Sequence, residues 1–185
     1  VGFLSMLRRA VFLDRDGVIN RAVVRAGKPY PPANLAAIEL LPGVTSAMQA
    51  LHAANWLLIV VTNQPDVARG TMPRAVVDEI SAHLKKVLPI DDFRTCYHDD
   101  HDGCDCRKPL PGALLAAGLT HSIDMTRSFM VGDRWRDVEA GHRAGCKTFF
   151  IDYGYSEKQP ELADYKVQSL QEAATIILGE LNEKS

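Results

Sequence analysis

The stretch Ala10-Val11-Phe12-Leu13-Asp14-Arg15-Asp16-Gly17-Val18 decides the fold. Four apolar residues end abruptly at a carboxylate, and a second carboxylate and a glycine follow. So short an apolar run with polar boundaries reads as a buried parallel strand. Three further runs end in the same way. Trp56–Val61 stops at Thr62, Ser128–Val131 at Gly132-Asp133, and Thr148–Ile151 at Asp152. Amphipathic stretches separate them: Val44, Ala47, Met48 and Leu51 share one helical face, as do Val76, Val77, Ile80, Leu84 and Val87 behind Pro73. Leu170, Ala173, Ala174, Ile177 and Leu181 make a last apolar face. Alternating β and α elements predict an α/β fold, a Rossmann-like, three-layer, doubly wound parallel sheet. Ligands of such sheets gather at the carboxyl ends of strands, which here carry Asp14, Thr62 and Asp133.

The rest of the composition narrows the function classes. The 185 residues, 46% hydrophobic, suit a single domain over 1–185 with a sizeable core. Lys and Arg number 21 against 23 Asp and Glu, a net charge of -2 that fits neither a nucleic-acid binder nor an acidic tail. No apolar run reaches the roughly 20 residues that span a bilayer, so no membrane partner is expected. Residues 1–9 read as an N-terminal extension. Val1–Leu7 is apolar with Arg8-Arg9 after it, the wrong order for a secretory signal, and Met6 offers an alternative start. A monomer is the default expectation, because no large apolar seam stands out.

The strand ends supply a consistent chemistry. Asp14 at a strand tip can act as a nucleophile toward phosphorus, and Asp16 can protonate a leaving oxygen and then deprotonate water. A lone D-x-D-G is also a common turn, so other elements must carry the reading. Thr62, Asn63 and Gln64 offer a hydroxyl and amides to phosphate oxygens, or form a polar turn. Lys108 can neutralise a phosphoryl group and Arg107 can fork onto a substrate oxygen, or both can belong to a solvated turn. Asp133 suits magnesium. Asp137, four residues on, can hold a metal-bound water, orient Lys108 or cap a helix.

Together these segments resemble the haloacid dehalogenase superfamily of phosphatases. The resemblance runs in order through FLDRDGVIN (Phe12–Asn20), VVTNQ (Val60–Gln64), CRKP (Cys106–Pro109) and VGDRWRD (Val131–Asp137). It implies an aspartyl-phosphate mechanism with Asp14 as nucleophile and Asp16 as general acid/base. Magnesium would sit on Asp14, the Asp16 backbone carbonyl and Asp133, and Thr62 and Lys108 would steady the phosphoryl group. It also implies a minimal cap domain or none, which leaves Arg21–Ala33 as a rim loop touching the substrate. One departure stands out: Pro65-Asp66 follows T-N-Q where the family usually has Ser-Gly, and proline removes a backbone donor.

The cysteines narrow the resemblance. C-Y-H-D-D-H-D-G-C-D-C-R-K-P looks like the zinc-binding loop of heptose-bisphosphate phosphatases and their histidinol-phosphate relatives. Carried over, the zinc ligands are Cys96, His98, Cys104 and Cys106 in a loop over residues 96–106, with His101 as a rival imidazole. Three thiolates and one imidazole would complete a tetrahedral structural site, compatible with a reducing cytoplasm; free or disulfide-paired cysteines are the alternative. Cys146 reads as a small buried hydrophobe. The leading expectation is a magnesium-dependent phosphomonoesterase for a small phosphorylated sugar, removing the 7-phosphate of a heptose 1,7-bisphosphate. The alternatives are a histidinol-phosphate phosphatase and, from another class, a non-catalytic zinc-stabilised binding protein.

Overall fold

The structure, a computed structural model, describes residues 7–182 of the backbone. The first six residues of the expected N-terminal extension lie outside the described residues. The last two, Arg8 and Arg9, belong to the fold itself. Arg8 donates to the Ser122 carbonyl and accepts from the Asp124 amide, and the Arg9 guanidinium lies 4.5 Å from the centre of the Trp56 ring.

The main sheet is built from β1 (Ala10–Leu13), β4 (Leu57–Asn63), β5 (Asp92–Cys96), β6 (Phe129–Gly132), β7 (Lys147–Ile151) and β8 (Tyr165–Val167). Its spatial order is β5-β4-β1-β6-β7-β8, with every neighbouring pair parallel. Counted along the sheet-forming strands, this is the 3-2-1-4-5-6 order of dinucleotide-binding sheets, with its switch point beside the first strand. Register fixes what meets there. Leu13 pairs with Val60 on one side and Val131 on the other, so Asp14, Thr62 and Asp133 emerge together at one edge.

Alternation along the strands divides the core into two. Val11, Leu13, Leu58, Val60, Phe129 and Val131 face one cluster, which α1 (Val44–Ala53), α2 (Arg74–Val87) and α5 (Leu170–Asn182) cover. Ala10, Phe12, Leu57, Ile59, Val61 and Met130 face the other, against α3 (Gly112–His121) and α4 (Trp135–Ala144). Both faces of the central strands are therefore buried, which is why their sequences are continuously apolar. Each fully buried Val, Leu, Ile or Phe contributes about 1.5–3 kcal/mol, so these few strands are a main source of the fold's stability.

Two strands of the main sheet escape the sequence pattern. β5 reads Asp-Phe-Arg-Thr-Cys and β8 reads Tyr-Lys-Val, and both lie at sheet edges. Helices begin one residue later than a literal reading suggests: Pro73 is the cap of α2 rather than its first turn. Between β1 and α1 the inserted structure is a small antiparallel hairpin, β2 (Val23–Arg25) with β3 (Lys28–Tyr30), and one short turn of 3-10 helix. No cap domain is formed there. Cys146 is buried, and burial pushes its thiol up to about 12.

Candidate active site

A cleft of about 300 Å³ opens over the carboxyl ends of β1 and β4. Asp14, Asp16, Thr62, Asn63, Arg107, Lys108 and Asp137 all line it, and Lys28 through Pro31 of the hairpin form one rim.

Lys108 is the centre of the geometry. Its ammonium donates to Asp14 Oδ1 at 2.8 Å and to the Val61 carbonyl at 2.7 Å, and pairs with Asp137 Oδ1 at 2.7 Å. An ammonium has three protons, and each has a partner. Burial opposes the charge on Lys108, but Asp137 and Asp14 hold its pKa above the ordinary value. The Lys108 peptide is itself gripped at both ends, because Asn63 Oδ1 accepts from its N–H at 3.1 Å and Asn63 Nδ2 donates to its carbonyl at 2.9 Å.

Asp14, Asp133 and Asp137 bring carboxylate oxygens within 4.8 Å of one another. Three buried carboxylates share one ammonium, so their full ionisation would leave two negative charges without a counter-ion. Burial raises the Asp14 carboxyl to about 6, with Lys108 opposing the shift. Burial and then the charges of Asp14 and Asp137 drive Asp133 well above the carboxylate range. Asp133 Oδ1 is buried and has no hydrogen-bond partner. Excess negative charge, hard oxygen donors and an orphaned oxygen fit a divalent cation such as magnesium.

The turn after β1 is built for close approach. Gly17 has φ +90, and a Cβ there would stand 1.9 Å from Asp133 Oδ2; no other residue fits without displacing that carboxylate. Asp16 is clamped against the cleft wall by donors from three side chains. Arg15 reaches it through Nε at 3.1 Å and Nη2 at 2.9 Å, while Asn20 Nδ2 and Gln64 Nε2 each lie at 2.9 Å.

Two of the expected substrate contacts have other work. Gln64 is 1% exposed, and its amide bridges Asp16 and Thr62 Oγ1 instead of reaching the cleft. Asn63 does border the cleft, but both halves of its amide are committed to the Lys108 backbone. Arg107 remains suited to a ligand: Nε donates to Asp100 Oδ1 at 2.8 Å, while Nη1 is buried without a partner.

The four sulfur and nitrogen atoms expected to bind zinc converge. Cys106 Sγ lies 3.2 Å from Cys96 Sγ and 3.4 Å from His98 Nδ1, and Cys96 Sγ lies 3.7 Å from Cys104 Sγ and 3.6 Å from His98 Nδ1. Bond lengths of about 2.3 Å to sulfur and 2.0 Å to nitrogen give tetrahedral edges of about 3.5–3.8 Å, close to these separations and far from a disulfide bond. His101 is exposed on a short 3-10 turn and is not among the grouped ligand atoms.

Several functional side chains carry no sequence signal of their own. Arg69 and Arg136 line the cleft and pair with Asp99 and Asp100 of the cysteine loop. Tyr155 donates to Asp133 Oδ2 at 2.7 Å. Arg134 pairs with Glu157. Arg69 and Tyr155 come from loops outside the four motifs, and Arg134 and Arg136 lie within the last of them at a helix start, where periodicity says nothing of what they touch.

The HAD-hydrolase-like family profile matches residues 105–176. Among sequence relatives, the D-glycero-beta-D-manno-heptose-1,7-bisphosphate 7-phosphatase of Bordetella bronchiseptica is 33% identical over 158 residues, covering 81% of this chain and 84% of that protein. Its namesake from Rhodopseudomonas palustris is 36% identical, covering 77% and 82%. The Escherichia coli K12 protein of that name is also 36% identical, covering 75% and 76%. Among solved structures, the B. bronchiseptica D,D-heptose 1,7-bisphosphate phosphatase, complexed with magnesium and phosphate, superposes with a TM-score of 0.80 at 29% identity, covering 93% of this chain and 99% of that one.

Proposed function

Because this chain belongs to the haloacid dehalogenase-like hydrolases and is a phosphatase among them, we propose that it removes the 7-phosphate of a D-glycero-D-manno-heptose 1,7-bisphosphate. The observation that carries the mechanism is Lys108 bridging Asp14 and Asp137 at the end of the central strand. Relatives of that activity cover most of their own length with this chain, which supports the substrate.

In this reading a carboxylate oxygen of Asp14 attacks phosphorus, forming an acyl-phosphate bond as the ester P–O bond breaks. The departing alkoxide takes a proton from Asp16, which later takes one back from the water that hydrolyses the aspartyl-phosphate. Inorganic phosphate leaves and Asp14 returns to its carboxylate. Lys108 neutralises charge on the phosphoryl oxygens and keeps Asp14 aimed. Thr62 Oγ1, buried at the end of β4, is placed to donate to a phosphoryl oxygen.

Asp16 must alternate between ionised and protonated forms while surrounded by donors. Gln64 meets both states. Its Nε2 donates to the ionised carboxylate, whereas Oε1 is buried without a partner. A half-turn of the amide presents that oxygen to the protonated acid, exchanging a donor for an acceptor.

Magnesium would be held by Asp14, Asp133 and the backbone carbonyl of Asp16. When bound, it offsets the repulsion between the Asp14 carboxylate and an anionic ester. Zinc would be held by Cys96, His98, Cys104 and Cys106. It would leave no open coordination position, so its role is to fix the loop that presents Arg107 and Lys108. Arg107, Arg69 and Arg136 then face the end of the substrate away from the reacting phosphate.

The test is magnesium-dependent phosphate release from both heptose bisphosphate anomers and from histidinol phosphate, compared by kcat/KM. One phosphate per heptose, released at least about tenfold more efficiently than from histidinol phosphate, is expected. A preference for histidinol phosphate overturns the substrate assignment.

A further inference from the structure

Beyond β7 the chain turns back over the acidic site through Asp152-Tyr153-Gly154-Tyr155. Gly154 has φ +68, and its amide donates to Asp152 Oδ1 at 2.8 Å, closing a tight turn. Two phenols are thereby set side by side, with ring centroids 5.6 Å apart. Tyr153 donates to the Gly17 carbonyl at 2.9 Å, while Tyr155 donates to Asp133 Oδ2 at 2.7 Å. The Arg134–Glu157 pair fastens the same segment to the residue that follows Asp133.

Asp133 therefore has two unlike oxygens. Oδ2 has its hydrogen bond from Tyr155, whereas Oδ1 is buried and unpartnered. A carboxylate free to rotate about χ2 would exchange these oxygens. A phenol bond to one of them, from a ring only 8% exposed, prevents that exchange. Second-contact hydrogen bonds of this kind orient metal ligands, and their loss typically weakens metal affinity about 10- to 100-fold.

We propose that Tyr155 is a positioning residue for the divalent cation, locking the Asp133 carboxylate so that Oδ1 faces the metal position. This rests on the reading of Asp14 and Asp133 as magnesium ligands. Tyr155 touches neither substrate nor reacting atoms; it acts through Asp133.

Tyr155→Phe keeps the ring and removes only the hydroxyl. The test measures Mg²⁺ binding by calorimetry and Mn²⁺ binding by electron paramagnetic resonance on the zinc-loaded full chain, without substrate. Wild type and Asp133→Ala are measured alongside. The expected result is a metal Kd raised about tenfold in Tyr155→Phe, and a kcat that recovers to within about twofold of wild type at saturating Mg²⁺. A merely structural role would not produce that split between affinity and turnover.

A second readout needs no variant: Mg²⁺ addition to wild type should perturb the near-ultraviolet absorbance of tyrosine, because the metal draws charge from Asp133. An unchanged Kd in a folded Tyr155→Phe protein overturns the proposal, as does a metal titration with no tyrosine signal. If wild type binds the cation and Asp133→Ala binds it equally well, the metal-ligand reading fails first and takes this proposal with it. If Asp133→Ala loses the cation while Tyr155→Phe keeps it unchanged, only the role of Tyr155 fails.

Discussion

Lys108 and Asp14 stand 94 residues apart in the chain, yet Nζ of one lies 2.8 Å from Oδ1 of the other in a buried contact. Asp137 completes the bridge at 2.7 Å. Neither partner is stable alone at that depth: a buried ammonium without carboxylates, or carboxylates without it, would neutralise by gaining or losing a proton. The pair therefore ties the nucleophile's protonation state to the folding of a distant loop.

Replacing Lys108 by Met removes the charge but preserves most of the volume. We expect turnover to fall at least about a thousandfold, because phosphoryl charge and Asp14 orientation are lost together. Breaking such a buried pair costs about 3–5 kcal/mol, so chemical denaturation should reveal a matching loss of stability. A variant as stable and active as wild type contradicts the bridge.

Asp14→Asn removes the nucleophile without altering shape. Phosphate release should drop to background, about a thousandfold or more, while the circular dichroism spectrum is retained. Rapid acid quench of wild type with labelled substrate should trap a phosphoenzyme that the variant lacks.

The pH dependence of stability should follow the Asp14 carboxyl, which burial raises from 3.8 to about 6. In metal-free protein the folded state binds this proton more tightly than the unfolded chain. Its contribution to stability is complete below about pH 4, is lost as pH rises through 6, and stays constant above that. A divalent cation competes with the same proton, so apparent Mg²⁺ affinity should fall with acidity below about pH 6, by up to about tenfold per unit. Calorimetry at several pH values checks this, with Asp14→Asn as the comparison that lacks the Asp14 proton and keeps Asp133.

The cysteine loop should be a metal-dependent element. Cys104→Ser should abolish stoichiometric zinc, as read by elemental analysis. It should also lower stability by about 3 kcal/mol, or roughly 10 °C in Tm. An unaltered zinc content would remove Cys104 from the ligand set.

Asp100 links the loop to the cleft, accepting from Arg107 Nε at 2.8 Å and lying 3.5 Å from Arg136 Nη1. The hydrogen bond from Arg107, then the charges of Arg107 and Arg136, hold Asp100 below the usual carboxylate range against a small cost of burial. Asp100→Asn should raise KM about 5- to 20-fold with kcat held within about twofold, the pattern of lost uniform binding. Steady-state kinetics with the bisphosphate separate the two parameters.

The central strands were legible because burial on both faces demands apolar runs, as in Leu57–Val61 and Phe129–Val131. β5 was not, since an edge strand with Asp92 and Arg94 carries the polar residues that such a position tolerates. The same division holds at the site. Asp14, Thr62, Lys108 and Asp133 sit at strand ends or beside prolines, where local sequence betrays them. Tyr155, Arg69 and Arg136 arrive from turns and a helix start, and only tertiary folding shows what they touch. Gln64 shows the converse: its residue type beside the site suggests a substrate contact, whereas its burial turns it toward Asp16.

The hairpin of β2 and β3 is too small to cover the cleft it borders, and among the described residues no cap domain stands over the mouth of that cleft. Bulk water therefore enters the cleft until something fills the opening. In the proposed reaction the molecule best placed to fill it is the one being cleaved, between Tyr30 on one rim and the arginines on the other. A compound large enough to plug the mouth dries the site and strengthens every charge contact inside; a smaller ester leaves it wet. In that proposed reaction selectivity is a matter of sealing, and the substrate serves as its own stopper.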